Sequence, residues 1–159
     1  MSEKRFVGLD LAFANNGVVI LDEKGDIVFQ EVLSSSKKNS DEERLVNIRA
    51  TLDSLLQDND IVCLEGLSFG SQGMALAQLG ATHYIIRVLL HERNIEFSIV
   101  TPSSLKKYVT GKGNCKKDLI LLKVFQKWGV EFSDNNLADA YSLARFAFDK
   151  YQKNFGELN

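Results

Sequence analysis

Three strand-like runs stand one behind another at the N-terminus, and helices alternate with strands after them; that order limits the possible folds more than any single residue does. The runs are RFVGLDLA at 5–12, GVVIL at 17–21 and DIVFQEVL at 26–33, the last two joined by the glycine-bearing turn DEKG. They predict an antiparallel meander. From Ser40 the pattern turns helical, because Ser40 and Glu43 form a capping box and Leu45, Ile48, Leu52 and Leu55 recur at helical spacing as far as Gln57. The apolar run DIVCLE at 60–65 reads as a buried strand, GLSFGSQG at 66–73 as a glycine-rich loop, 74–92 as a long helix and IEFSIV at 95–100 as another strand. A short helical piece at 104–109, the loop TGKGNCKK, a helix to Trp128 and a last helix over 136–151 complete the chain. This order predicts an α/β fold, a mixed sheet whose later strands run parallel and are covered by helices. The helix at 74–92 carries apolar or small residues on nearly every side, more than one sheet face covers, and so predicts a subunit interface.

Composition excludes several classes of protein. With 159 residues, 45% hydrophobic, 25% charged and a single proline, the chain is neither disordered nor collagen-like. Residues 1–159 read as one domain, long enough to bury roughly 70% of its unfolded surface. No apolar stretch approaches the roughly 20 residues of a membrane span, and 1–5 leads straight into a strand run, so a soluble, cytoplasmic protein without a membrane partner is expected. Two cysteines, Cys63 and Cys115, are too few for a disulfide framework or a cysteine zinc site and point to a reducing compartment.

The formal charge of −2 does not mark a nucleic-acid binder, but its distribution is uneven. Between Thr101 and Trp128 seven lysines (106, 107, 112, 116, 117, 123 and 127) stand against one acid, Asp118, a stretch suited to a phosphate-rich partner. Asp10 sits between Leu9 and Leu11 in the first strand, where an ionised carboxylate costs several kcal/mol unless a cation or partner compensates it. Glu65 closes the buried run IVCLE, and Asp139 lies between Ala138 and Ala140, small neighbours that let another group approach. If the fourth strand pairs with the first, Asp10 and Glu65 become neighbours, and a helix packed on that sheet brings Asp139 to them. Three acids without basic partners in sequence point to a divalent metal such as Mg²⁺, which takes oxygen ligands and relieves their mutual repulsion.

In their order and spacing, GLDLAFANNGVVI, IVCLEGLSFG, LAQLGATHYIIRVLL, VTGKGNCKKD and NNLADAYSLARFA make the chain resemble the RuvC family of Holliday-junction resolvases, within the ribonuclease H-like fold, over nearly its whole length. The short length and divergent loops are more similar to the bacteriophage versions than to the cellular ones, which would place the protein in the cytoplasm of a bacterial host. The resemblance implies a five-stranded mixed sheet in the order 3-2-1-4-5 flanked by helices. It also implies a crossover junction endodeoxyribonuclease that resolves four-way and other branched DNA by paired symmetric nicks, leaving 5′-phosphate and 3′-OH ends. Paired nicks call for two active sites about a two-fold axis, hence a homodimer, for which the 74–92 helix is suited. Two Mg²⁺ or Mn²⁺ ions per active site, roughly 4 Å apart, are implied, one activating water and the other stabilising the leaving 3′ oxygen.

The family's acidic positions fall on Asp10, Glu65 and Asp139. Its fourth position, usually Asp or His one turn before the last acid, falls on Asn136, which offers a carbonyl oxygen but no charge; Asp134 just upstream is the alternative source of a carboxylate. The active-site lysine of the family matches Lys117, with Lys116 beside it. Lys106, Lys107, Lys112, Lys116 and Lys117 are expected on the DNA backbone. Phe69, one residue further from Glu65 than in the cellular pattern, is expected to wedge into the junction and stack on a base.

Other signals lead elsewhere and are set aside. Gly66-Leu67-Ser68-Phe69-Gly70 matches the G-x-S-x-G elbow of serine hydrolases, but His83 and His91 both lie on the next helix, where neither folds back to Ser68. Eight residues apart, these histidines suit shared metal ligation poorly and read as partly buried structural residues. GKGNCKKD lacks the P-loop pattern, and the chain has no room for the second domain that sugar kinases and actin-like ATPases need. Two alternative functions stay open: a nuclease of the same fold acting on RNA, of ribonuclease H or rRNA-processing type, and a module that binds branched DNA without cutting it, which Asn136 would suit.

Overall fold

The computed structural model describes residues 3–157. Strands β1 (Phe6–Asp10), β2 (Asn15–Leu21) and β3 (Ile27–Ser34) form the meander. After it come α1 (Asp41–Leu55), β4 (Ile61–Glu65), α2 (Met74–Glu92), β5 (Glu96–Val100), α3 (Pro102–Thr110), α4 (Lys117–Trp128) and α5 (Asn135–Glu157). All five strands join one sheet in the order β3-β2-β1-β4-β5, with the meander pairs antiparallel and the β1–β4 and β4–β5 pairs parallel. Both faces are covered. Side chains alternate across each strand, so Phe6, Val19, Leu21, Ile61 and Cys63 pack against Leu105, Val109, Ile120, Val124 and Leu143 of α3, α4 and α5. Val7, Leu9, Val18, Ile20, Val62 and Leu64 pack on the other face against Ile48 and Leu52 of α1 and Ile86, Leu89 and Leu90 of α2.

Helix α5 lies so close to β1 and β2 that two strand positions have room for nothing but glycine. A Cβ at Gly8 would stand 1.8 Å from the Ala140 carbonyl oxygen, and one at Gly17 would stand 2.3 Å from that of Asn136. Ala138, Ala140 and Ala144 supply the matching small surface on the helix. This contact sets the height of α5 above the sheet.

Helix ends follow local chemistry. At α1 the Glu43 N–H donates to Ser40 Oγ (3.1 Å) and the Ser40 N–H donates to Glu43 Oε2 (3.0 Å), the reciprocal box that the sequence announces. Helix α3 begins at Pro102 rather than at 104, because Thr101 caps it, accepting from the Ser104 N–H at 3.2 Å, and proline suits the first helical position. Helix α5 starts one residue early and runs to Glu157 rather than stopping at Tyr151; Phe155, one turn on, stacks on the Tyr151 ring at 6.1 Å. On α2 His83 is buried, and burial followed by the charge of Arg87 lowers its pKa, whereas His91 is exposed and is not the partly buried residue expected. No helix among the described residues is long and apolar enough to cross a membrane.

Candidate active site

Asp10 and Glu65 end neighbouring parallel strands. Leu9 pairs with Leu64, so the next residue of each strand stands at the same rim of the sheet, and the alternation that sends Phe6 and Cys63 toward α5 sends these two carboxylates there as well. Gly17 lies opposite Asp10 on β2 and admits the backbone of Asn136, which seats the first turn of α5 over the rim. Asp139 follows one turn later. Carboxylate oxygens of Asp10, Glu65 and Asp139 all lie within 4.8 Å of one another.

The electrostatics are those of a site short of positive charge. Burial, then repulsion from Asp139 and Glu65, pushes the Asp10 carboxyl up to about 8. Burial and then Asp139 raise Glu65 to about 7, and burial raises Asp139 to about 6. Opposing these shifts, the ammonium of Lys117 at the start of α4 draws all three pKa values down, and Lys106 on α3 does so for Glu65 and Asp139. Lys117 therefore lies near enough to act on the acids through its charge, and Lys106, expected only on the DNA backbone, acts on two of them as well. The signal for Lys106 was available in Thr101-Pro102, since a helix opening directly after β5 carries its lysine over the rim where β4 and β5 end.

Asp134 and Asn136 play different parts. Asp134 Oδ1 accepts from the backbone N–H groups of Asn136 and Leu137 at 2.7 and 3.2 Å, so this carboxylate caps α5 and acts on Asp10 and Asp139 through its charge. Asn136 sits on the turn before Asp139 with its carbonyl against Gly17. Lys107, Lys112 and Lys116 are exposed along α3 and the following loop. Lys127 is used differently from the rest of the basic run: its Nζ donates to the Tyr108 carbonyl at 2.9 Å and lies over the Tyr108 and Trp128 rings. Phe69 stands in the loop after β4 with its side chain 80% exposed.

Three hard oxygen donors that converge with no ion pair to any of them among the described residues suit a hard divalent cation. A sheet of this order, with acids from β1, β4 and α5 gathered at one rim, defines a ribonuclease H-like protein with an acidic centre able to hold a metal ion. The family model described as Crossover junction endodeoxyribonuclease RuvC matches residues 6–145, and the chain belongs to that family. The Crossover junction endodeoxyribonuclease RuvC of Petrotoga mobilis is 28% identical over 156 residues, 94% of this chain and 95% of that protein. Its namesake in Brachyspira hyodysenteriae is 26% identical over 143 residues, 87% and 89% of the two chains. Among solved structures, Thermus thermophilus RuvC, alone and in complex with a Holliday junction substrate, shares the fold with a TM-score of 0.78 at 20% identity, covering 96% of each chain. The fowlpox virus resolvase bound to Holliday junction DNA follows at 0.54 and 16%, covering 97% of this chain and 99% of its own.

Proposed function

We propose that the chain is a homodimeric endonuclease that resolves Holliday junctions and other branched DNA by paired symmetric nicks, leaving 5′-phosphate and 3′-OH ends, with residues 1–159 acting as one nuclease domain. The convergence of Asp10, Glu65 and Asp139 within 4.8 Å, in a member of this family, carries the reading. Asp10, Glu65 and Asp139 would hold two Mg²⁺ or Mn²⁺ ions, with Asn136 offering a carbonyl oxygen. Bound there, such ions activate water and stabilise the charge on the leaving 3′ oxygen. Lys117 and Lys106 supply fixed positive charge at the phosphate under attack, and being present before the reaction they need no reorganisation. Lys107, Lys112 and Lys116 extend that charge along the backbone, and exposed Phe69 offers a ring on which an unpaired base stacks.

A seam on α2 supports the dimer. Met74, Ala77, Ala81, Tyr84 and Val88 recur at alternating spacings of three and four residues and all lie on the exposed side of the helix. Met74, Tyr84 and Val88 are 69%, 55% and 46% exposed, an apolar stripe that a second copy would cover about a two-fold axis. The test is incubation with Mg²⁺, and separately Mn²⁺, on a labelled four-way junction, a linear duplex and an RNA/DNA hybrid, with Asp139→Asn alongside. Paired nicks near the branch point, absent in the variant, are expected; binding without cutting, or cutting of the hybrid alone, would replace the reading.

A further inference from the structure

Arg44 on α1 is held in place without a counter-charge. Its guanidinium lies 3.9 Å from the centroid of the Phe13 ring, and its Nε donates to Ser35 Oγ at 2.9 Å. Ser35 is itself tied to the β1–β2 turn, its N–H donating to the Ala14 carbonyl at 2.9 Å and its hydroxyl to that of Phe13 at 3.0 Å. Among the described residues no carboxylate lies within ion-pair distance of Arg44, and no hydrogen bond engages its terminal nitrogens. A guanidinium oriented in this way presents a rigid fork that matches a phosphate.

The surroundings fit the same ligand. A cleft of about 370 Å³ beside Arg44 is lined by the polar side chains of Ser36, Asn39 and Asn47, with Glu31 its one carboxylate. Lys37 and Lys38 follow Ser36 directly and are exposed. Three acids open α1, but Glu43 is engaged by the Ser40 N–H and Asp41 by Gln78 Nε2 at 3.1 Å, and the positive end of the helix offsets their charge.

Topology puts this patch at the rim that carries the acids, on the α1 side of the sheet, whereas the carboxylates face α5. Strands β1 and β3 both pair antiparallel with β2 and so run the same way, which brings Ser34 and the segment after it out at the rim that carries Asp10. Strand β3 lies two strand spacings from β1, about 10 Å. Lys106 and Lys117 reach the same rim from the β5 side, so the acids lie between two cationic segments.

We propose that Arg44, Lys37 and Lys38 form a second phosphate-binding site, which grips the DNA backbone on the β3 side of the acids. The inference rests on the nuclease reading above. Its test is the dependence of four-way-junction affinity on salt, measured by fluorescence anisotropy in EDTA with the full chain. A variant carrying Lys37→Ala, Lys38→Ala and Arg44→Ala is compared with one of equal charge, Lys24→Ala, Lys150→Ala and Lys153→Ala, whose changes lie at the opposite rim. Each lost phosphate contact lowers the slope of log affinity against log salt by about 0.9, so the rim variant is expected to lose about 2 to 3 from the slope and the control none. Arg44→Lys keeps the charge and is expected to restore most of the Arg44 share of the slope. Equal losses in both triple variants would reduce the effect to net charge and overturn the proposal, as would an unchanged slope in a rim variant that melts normally. A wild-type chain that binds no junction would instead overturn the function on which the proposal stands.

Discussion

Gly17→Ala adds one methyl group at the contact that seats α5. That carbon would meet the Asn136 carbonyl oxygen at 2.3 Å, its carbon at 2.8 Å and Ala140 Cβ at 3.3 Å. The two nearest atoms are backbone, so no rotamer relieves the overlap, and the first turn of α5 must lift by about 0.7 Å merely to bring the closest contact to 3.0 Å. Asp139 rides on the next turn and moves with it. Overpacking of this kind costs about 1–3 kcal/mol, a melting temperature lower by about 3–10 °C for a chain of this size. The catalytic cost is larger, because a misplacement of about 1 Å reduces a positioned reaction by about 100-fold. The assay is single-turnover cleavage of a labelled four-way junction in saturating Mg²⁺, with thermal melting and calorimetric Mn²⁺ titration on the same preparations. A folded variant with weakened Mn²⁺ binding and cleavage slowed about 100-fold is expected, while Gly156→Ala, which meets nothing within 4 Å, keeps the wild-type rate. Wild-type cleavage by Gly17→Ala would refute the claim that helix height sets the carboxylate geometry.

Metal-free protein is expected to lose stability as pH rises from about 4 to about 8. The unfolded chain gives up these carboxyl protons near their ordinary values of 3.8 and 4.5, whereas the folded chain holds them to about 6, 7 and 8, so the protonated state favours folding and ionisation opposes it. Melting scans in EDTA should show this decline, Mg²⁺ or Mn²⁺ should offset it most at high pH, and Asp10→Asn should flatten it while abolishing cleavage. Lys117→Ala should slow cleavage by about 100-fold with junction affinity little changed, as single-turnover rates and anisotropy would report. Phe69→Ala removes a ring that is 80% exposed, so the melting temperature should stay put while four-way-junction cleavage falls tenfold or more. Val88→Glu places a charge in the α2 seam and should sediment as a monomer that has lost coordinated paired nicking.

Much of this molecule is legible in local pattern. The meander, the capping box at Ser40, the buried run ending in Glu65 and the anomalous acid between Leu9 and Leu11 depend on neighbours a few residues apart, so periodicity and cap chemistry reveal them. Local signals were also misread at helix ends, where Thr101-Pro102 starts α3 early and a Phe155–Tyr151 stack carries α5 on. Asp134 and Asn136, two residues apart in sequence, read alike as sources of a fourth oxygen, and only the fold shows that Asp134 Oδ1 caps α5. Lys106, Lys117 and Lys127 belong to one basic run, yet two act on the acids through their charge and the third lies over two aromatic rings. Sequence by itself determined which groups are available, the periodicity that forms each element, and the buried carboxylate that demands compensation. Tertiary structure alone decided which charges meet, because Asp10, Glu65 and Asp139 are brought together by strand register and by the height of α5 over Gly8 and Gly17, distances set by packing between segments far apart along the chain.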